Sequence, residues 1–229
     1  MKNQQGNVLW FILIAVALLG MLTMVLTRSG STVDQSGDIE QMRISSGQIL
    51  GYAKSIEAGV QNMKLRGISE SDISFENPTT ATDYTNANCT DDACKVFHVD
   101  GAGLTYRNFA AANDGSDWIF SGANNVGTTA GPVGTTAAVT GNDLIMLLPN
   151  VNQTLCIQIN RDLGVGTAGT LPIDDQIDTT AFTGTYAAGG PTLLEGDTGN
   201  LELNRKTAGC FEDANDSNKI YFYQVILAR

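Results

Sequence analysis

The run Val8 to Leu26, VLWFILIAVALLGMLTMVL, constrains this chain more than any other stretch. Its 19 residues carry no charge, no proline and a single glycine. As a helix rising about 1.5 Å per residue it is about 28 Å long, the thickness of a bilayer's hydrocarbon core. A transmembrane segment over 8–26 is the expectation. About 200 residues follow it, the size of one globular domain. The chain reads as one apolar stalk carrying one polar body.

Thirteen Lys and Arg against 24 Asp and Glu leave a net charge of −11. Such a body repels phosphate, and no stretch clusters the basic residues that nucleic-acid binding needs, so no nucleic-acid partner is expected. Charged residues make up only 16% of the chain, while Gly, Thr, Asn and Asp are plentiful. That suits a loop-rich α+β or β domain and excludes a coiled coil or a disordered tail.

Beyond the apolar run, TRSGSTVDQSG blurs the helical pattern with two glycines. Helical spacing returns at Ile39, Met42, Ser46, Ile49, Ala53, Ile56, Val60 and Met63, with Glu40, Arg43, Gln48, Lys54, Glu57, Gln61 and Lys64 opposite. Steps of three and four define one helix face, and Gly67 supplies the stop. Ser69 to Ala93 reads as a loop. VFHV (Val96–Val99) and LTYRNF (Leu104–Phe109) flank Asp100-Gly101-Ala102-Gly103 and predict a β-hairpin. Trp118–Phe120 is a strand candidate, Ser121 to Gly141 a Gly/Thr-rich loop with the repeat VGTTAGP, VGTTAAV, and Asp143 to Pro149 an apolar run. Asn152 to Leu163 keeps helical spacing at Leu155, Ile159 and Leu163, with Asn152 as N-cap and Gly164 as C-cap. Val165 to Gly199 reads as a second long loop. Leu201–Leu203, Gly209–Glu212 and Lys219–Leu227 read as strands, the last two forming a hairpin around Asp213–Asn218.

The four cysteines, Cys89, Cys94, Cys156 and Cys210, allow three disulfide pairings, of which Cys89–Cys94 with Cys156–Cys210 is favoured. An even count fits an oxidising compartment. Zinc held by Cys89, Cys94 and His98 is the rival, but their spacing lacks the usual Cys-x2-Cys pair. Asp213, Asn215 and Ser217 alternate as the first oxygen donors of a calcium loop do. The central glycine is missing, and Gln224 stands where a bidentate acid belongs, so a plain turn is favoured. The single histidine excludes His-pair metal motifs and weakens any triad, and no Gly-x-Ser-x-Gly or P-loop is present. No cofactor and no enzymatic activity are expected.

The leader MKNQQG with Lys2 and ending at Gly6, the immediate apolar run, the amphipathic helical continuation and the body closed by a cysteine pair together resemble the type IV pilins and type II secretion pseudopilins. The resemblance spans the whole layout and is motif-specific over Lys2 to Leu26. It implies a pilin-like α+β fold. A long N-terminal helix over 7–67, half membrane segment and half amphipathic, would pack on an antiparallel β-rich body over 68–229. It implies a leader, 1–6, cut by a prepilin peptidase between Gly6 and Asn7, with Asn7 then N-methylated. It also implies self-association into a helical filament, or assembly with other pilin-like subunits, through a helix whose opening residues are Val8, Leu9, Trp10, Phe11, Ile12, Leu13 and Ile14. The implied location is the inner membrane with an exported C-terminal domain, then a cell-surface or periplasmic filament. The chain departs from the family at Phe11, where a glutamate is usual. The alternative is a non-polymerising, membrane-anchored binding or adhesion module presenting the loops Ser121–Gly141 and Val165–Gly199.

Overall fold

A computed structural model describes residues 5–128, 131–134, 141–167, 169–187, 192–194, 202–216 and 219–229. Helix α1 runs Gln5–Leu65. The chain divides into two compact units, Met1–Ile44 and Ser45–Arg229, so α1 contributes its first part to one unit and its last part to the other.

In the second unit, the helical stripe is buried from Ser46 onward: Ile49, Ala53, Ile56, Val60 and Met63 are fully buried, while Lys54, Gln61 and Lys64 are exposed. The stripe fails before that point, with Ile39 and Ile44 exposed in the first unit. Gly67, at φ 93°, ends the helix. Its N–H donates to Lys64 O (2.9 Å) and the Ile68 N–H to Met63 O (3.1 Å), a paired cap that needs a left-handed residue between.

The described strands form one seven-stranded sheet: β1 (Ile119–Thr128), β2 (Gly131–Pro132), β3 (Asp143–Leu148), β4 (Ile173–Asp174), β5 (Thr192–Leu194), β6 (Ala208–Asp213) and β7 (Ile220–Leu227). Their order is β2-β1-β3-β7-β6-β4, with β5 added to β1. The pairs β1–β3, β3–β7 and β6–β7 are antiparallel, whereas β1–β5 and β4–β6 are parallel. Helix α2 (Gln153–Leu163) follows β3. Its N-cap Asn152 accepts from the Thr154 N–H (3.0 Å), and Gly164, at φ 64°, closes it.

The sheet is covered on both faces. Leu144, Met146 and Leu148 of β3, Phe120 of β1 and Phe222 and Ile226 of β7 share one buried cluster with Ile49, Ile56 and Val60 of α1 and Leu155 and Ile159 of α2. Alternate residues, Ile145 and Leu147 of β3, Phe211 of β6 and Tyr221, Tyr223 and Val225 of β7, form a second cluster with Val165 and Leu203. The period-two alternation of a strand sends neighbours to opposite faces, so a strand buried on both reads as a continuous apolar run.

Both disulfides pair as favoured, Cys89–Cys94 and Cys156–Cys210, the second fastening α2 to β6. Beside it, the buried Asn160 side chain accepts from the Cys210 N–H (2.7 Å) and donates to its carbonyl (2.9 Å), completing that peptide's hydrogen bonds from the helix side.

Several expectations are corrected. The sheet is mixed, not antiparallel, and only the part of α1 from Ser45 belongs to the compact body, so a single long helix packed on an antiparallel sheet does not describe the fold. Among the described residues no helix is long and apolar enough to cross a membrane. This overturns the expected transmembrane helix and the inner-membrane location that rested on it.

The Val96–Phe109 hairpin is absent. Val96 is buried in the core, and the chain coils at Gly101, where a Cβ would meet the Lys95 carbonyl at 1.7 Å, and at Gly103, at φ 69°. Ser121–Thr128 is strand rather than loop, β4 and β5 lie in the expected loop Val165–Gly199, and Leu203 sits in a turn beside Arg205 at φ 58°. Leu201 and parts of both expected loops (129–130, 135–140, 168, 188–191, 195–199) lie outside the described residues.

Replacing Cys156 and Cys210 together with alanine should lower the free energy of unfolding by about 4 kcal/mol, against about 2 kcal/mol for Cys89 with Cys94, because the larger loop frees more chain entropy. Urea unfolding of the two double variants measures both; equal losses would show that loop closure does not set the ranking.

Candidate assembly surface

The first part of α1 places apolar side chains on every side of a helix. From Trp10 to Met24 each side chain is exposed, including Trp10 (65%), Phe11 (63%), Leu13 (64%) and Met21 (68%). Thr23 is the single polar residue in this stretch, and its hydroxyl donates back to Leu19 O (3.1 Å) and Gly20 O (2.9 Å). The segment therefore offers no polar side-chain group that a partner must satisfy, and its backbone is hydrogen-bonded internally as a helix.

Magnitudes decide what this surface means. Eleven large apolar side chains are exposed between Trp10 and Met24. Full burial of one such side chain is worth about 1.5–3 kcal/mol, so together they exceed the roughly 5–15 kcal/mol that stabilises a typical domain. A helix apolar all round is ordinarily found buried against other apolar groups. Of the residues named for this role, Trp10, Phe11, Ile12, Leu13 and Ile14 are exposed on α1. Gly6, Asn7, Val8 and Leu9 fall in its opening turns, with side chains outside the described set, and Lys2 lies outside the described residues altogether.

The other candidate sites have structural explanations. Cys89 and Cys94 are bonded to each other, which removes both thiolates from a zinc site. His98 lies between Asp92 (3.6 Å from Nε2) and Asp100 (3.6 Å from Nδ1) on exposed loop. The Lys95 ammonium sits 2.9 Å from Asp92 Oδ1, on the carboxylate a metal would need. Its hydrogen bond, followed by the charge of His98 and its own, holds the Asp92 carboxyl below the usual range. In the calcium candidate, Asp213 Oδ1 accepts from the Asn215 N–H (2.9 Å) and Asn215 Nδ2 donates to Asp175 O (2.8 Å). The loop thus closes on itself as an Asx turn. Ser217 lies outside the described residues.

The sequence reading missed two groups. Tyr84, buried, donates to Trp118 O (3.3 Å) and accepts from the Phe120 N–H (3.1 Å), and burial pushes its hydroxyl up to about 12. Tyr106 accepts from the Trp118 N–H (3.0 Å). Both phenols pin the entry of β1. Asp143 is the other. It is fully buried, and its two oxygens accept from the Val126 N–H (2.8 Å) and the Arg229 N–H (2.9 Å). Burial outweighs these bonds and raises its carboxyl to about 6. Asp143 is a clamp between β1, β3 and Arg229; an acid at the head of an apolar run, with both oxygens engaged by main chain, is a packing group. Only the interruption of apolar character at Asn142-Asp143 hinted at it.

Comparison with known proteins matches no family model, no curated protein and no solved structure.

The Asp143 clamp carries a signed pH dependence. Its folded value of about 6 lies above the ordinary carboxylate value, so the folded state binds more protons between about pH 4 and pH 6. Stability from this group is present below about pH 4 and is lost as pH rises through 6, by roughly 2–3 kcal/mol. Urea unfolding across this range should therefore show the difference between the native chain and Asp143→Asn moving toward the variant by that amount on going to pH 7. A difference that stays constant with pH would place the proton elsewhere.

Proposed function

We propose that this protein is a non-enzymatic structural subunit of a pilin-like filament, assembled by packing its apolar N-terminal helix against the same helix of other copies or of related subunits. The observation that carries the reading is the helix Trp10–Met24, apolar and exposed on every side. Among the described residues, neither buried cluster of the body contains any of these side chains. An uncharged helix meets no electrostatic obstacle to packing with its own kind. Burial supplies the driving force, and main-chain groups need no outside partner.

In this reading a prepilin peptidase cuts between Gly6 and Asn7, and Asn7 becomes the N-methylated first residue. Phe11, in place of the family's glutamate, gives a subunit whose helix packs without a buried carboxylate. It therefore needs no amine from a neighbour to neutralise one.

Two measurements test this. Mass spectrometry of the native protein should find an N-methylated start at Asn7; an intact Met1 in assembled material sinks the processing step. Replacing Leu13→Arg together with Leu19→Arg should weaken self-association of the full chain at least about tenfold by sedimentation velocity, since each charge must be desolvated in the packed helices. The urea midpoint of the body should stay unchanged. Undiminished association of this variant rules out the helix as the assembling surface.

A further inference from the structure

Charge is segregated along the chain as sharply as hydropathy. In the unit 1–44, Lys2, Arg28 and Arg43 cancel Asp34, Asp38 and Glu40, so the whole net charge of −11 falls on the body. Within the body, Lys54, Lys64, Lys95 and Arg229 are taken up by Glu57, Glu70, Glu76 and Asp92. Among the described residues Asp83, Asp175 and Asp216 are exposed and have no lysine or arginine within 4.0 Å. These three carboxylates therefore stand in solvent outside close ion pairs.

We infer that the self-association of this chain is gated by ionic strength, with repulsion between acidic bodies setting the threshold. The inference rests on the filament reading above. Packing the helices of several copies brings their bodies together, each at −11. A domain of this size has a radius of gyration of about 16 Å. At 10 mM salt the Debye length is about 30 Å, so neighbouring bodies repel across their full width; at 0.5 M it is about 4 Å and little repulsion survives. The attraction comes from the stretch Trp10–Met24, which holds no charge and is not screened. Salt thus removes the opposing force and leaves the driving force intact.

Sedimentation velocity of the full chain, from about 10 mM to about 500 mM NaCl at neutral pH, reads the threshold. The concentration needed for assembly should fall about tenfold or more across this range. Salt also strengthens burial of apolar surface by salting out, so charge variants separate the two causes. Asp83→Lys, Asp175→Lys and Asp216→Lys combined bring the net charge from −11 to −5. Repulsion scales with the square of the charge and drops to about one fifth, so this variant should assemble at low salt with a shallow salt response. The corresponding triple asparagine variant, at −8, should fall between, and serves if the lysine variant does not fold. A salt response equal in the native chain and both variants, or none in the native chain, overturns the inference and leaves the filament reading standing. Absence of self-association at every salt concentration overturns the filament reading, and the inference with it.

Discussion

The body depends on burying the central strands β3 and β7 on both faces at once. Leu144, Met146 and Leu148 face one cluster while Ile145 and Leu147 face the other, and Phe222 and Ile226 alternate in the same way with Tyr221, Tyr223 and Val225. A one-residue slip of β3 against β7 would exchange these two sets, so the register is fixed by both cores together. Each face then needs a cover. The end of α1 and the whole of α2 cover one, while Val165, Leu203 and the aromatic pair Phe211–Tyr221, with centroids 5.6 Å apart, fill the other. The Cys156–Cys210 bridge lies where one cover meets the sheet, and Asn160 repairs the strand's hydrogen bonding there.

The same principle explains what was legible in the sequence. Both helix ends could be read because caps are local: Gly67 and Gly164 take the left-handed backbone that a helix stop requires, and Asn152 precedes its helix with a side chain able to reach two residues on. The stripe from Ser46 to Met63 was legible because a helix buried on one side keeps its period. The β6–β7 hairpin was legible from the turn residues Asp213 to Asn218 between apolar segments. By contrast Asp143–Leu148 was seen only as apolar, since a strand buried on two faces has no alternation to show.

What stayed illegible was held by distant partners. Ser121-Gly122-Ala123-Asn124-Asn125 has the composition of a loop, yet it is strand. Tyr84 anchors its start from 36 residues away, and Asn124 exchanges hydrogen bonds with the main chain of Asp178. Gly122 is needed there because a Cβ would come within 2.7 Å of the Phe182 ring. The opposite error occurred at Val96–Phe109, where alternating apolar residues suggested a hairpin. Val96, Leu104 and Tyr106 are drawn to the core individually, and Gly59 on α1 opens the space that Leu104 occupies, a Cβ there lying 2.7 Å from Leu104 Cδ1. Side chains captured by a preformed core follow the shape of that core and not the period of a ladder.

The apolar character of the candidate segment can be read directly, because it depends on a single stretch and on what that stretch lacks. Among the described residues the eleven large apolar side chains between Trp10 and Met24 belong to neither buried cluster, and a helix apolar on all sides cannot be completed by one flat surface, which covers only a stripe. Several neighbours are needed around its circumference. In the filament reading proposed above, copies of the same helix meet that requirement, each supplying the surface the others lack and none introducing a charge that must be paired. On that reading, the segregation of a neutral apolar segment from a strongly acidic body divides two tasks between the units: one supplies attraction that salt does not screen, the other repulsion that it does.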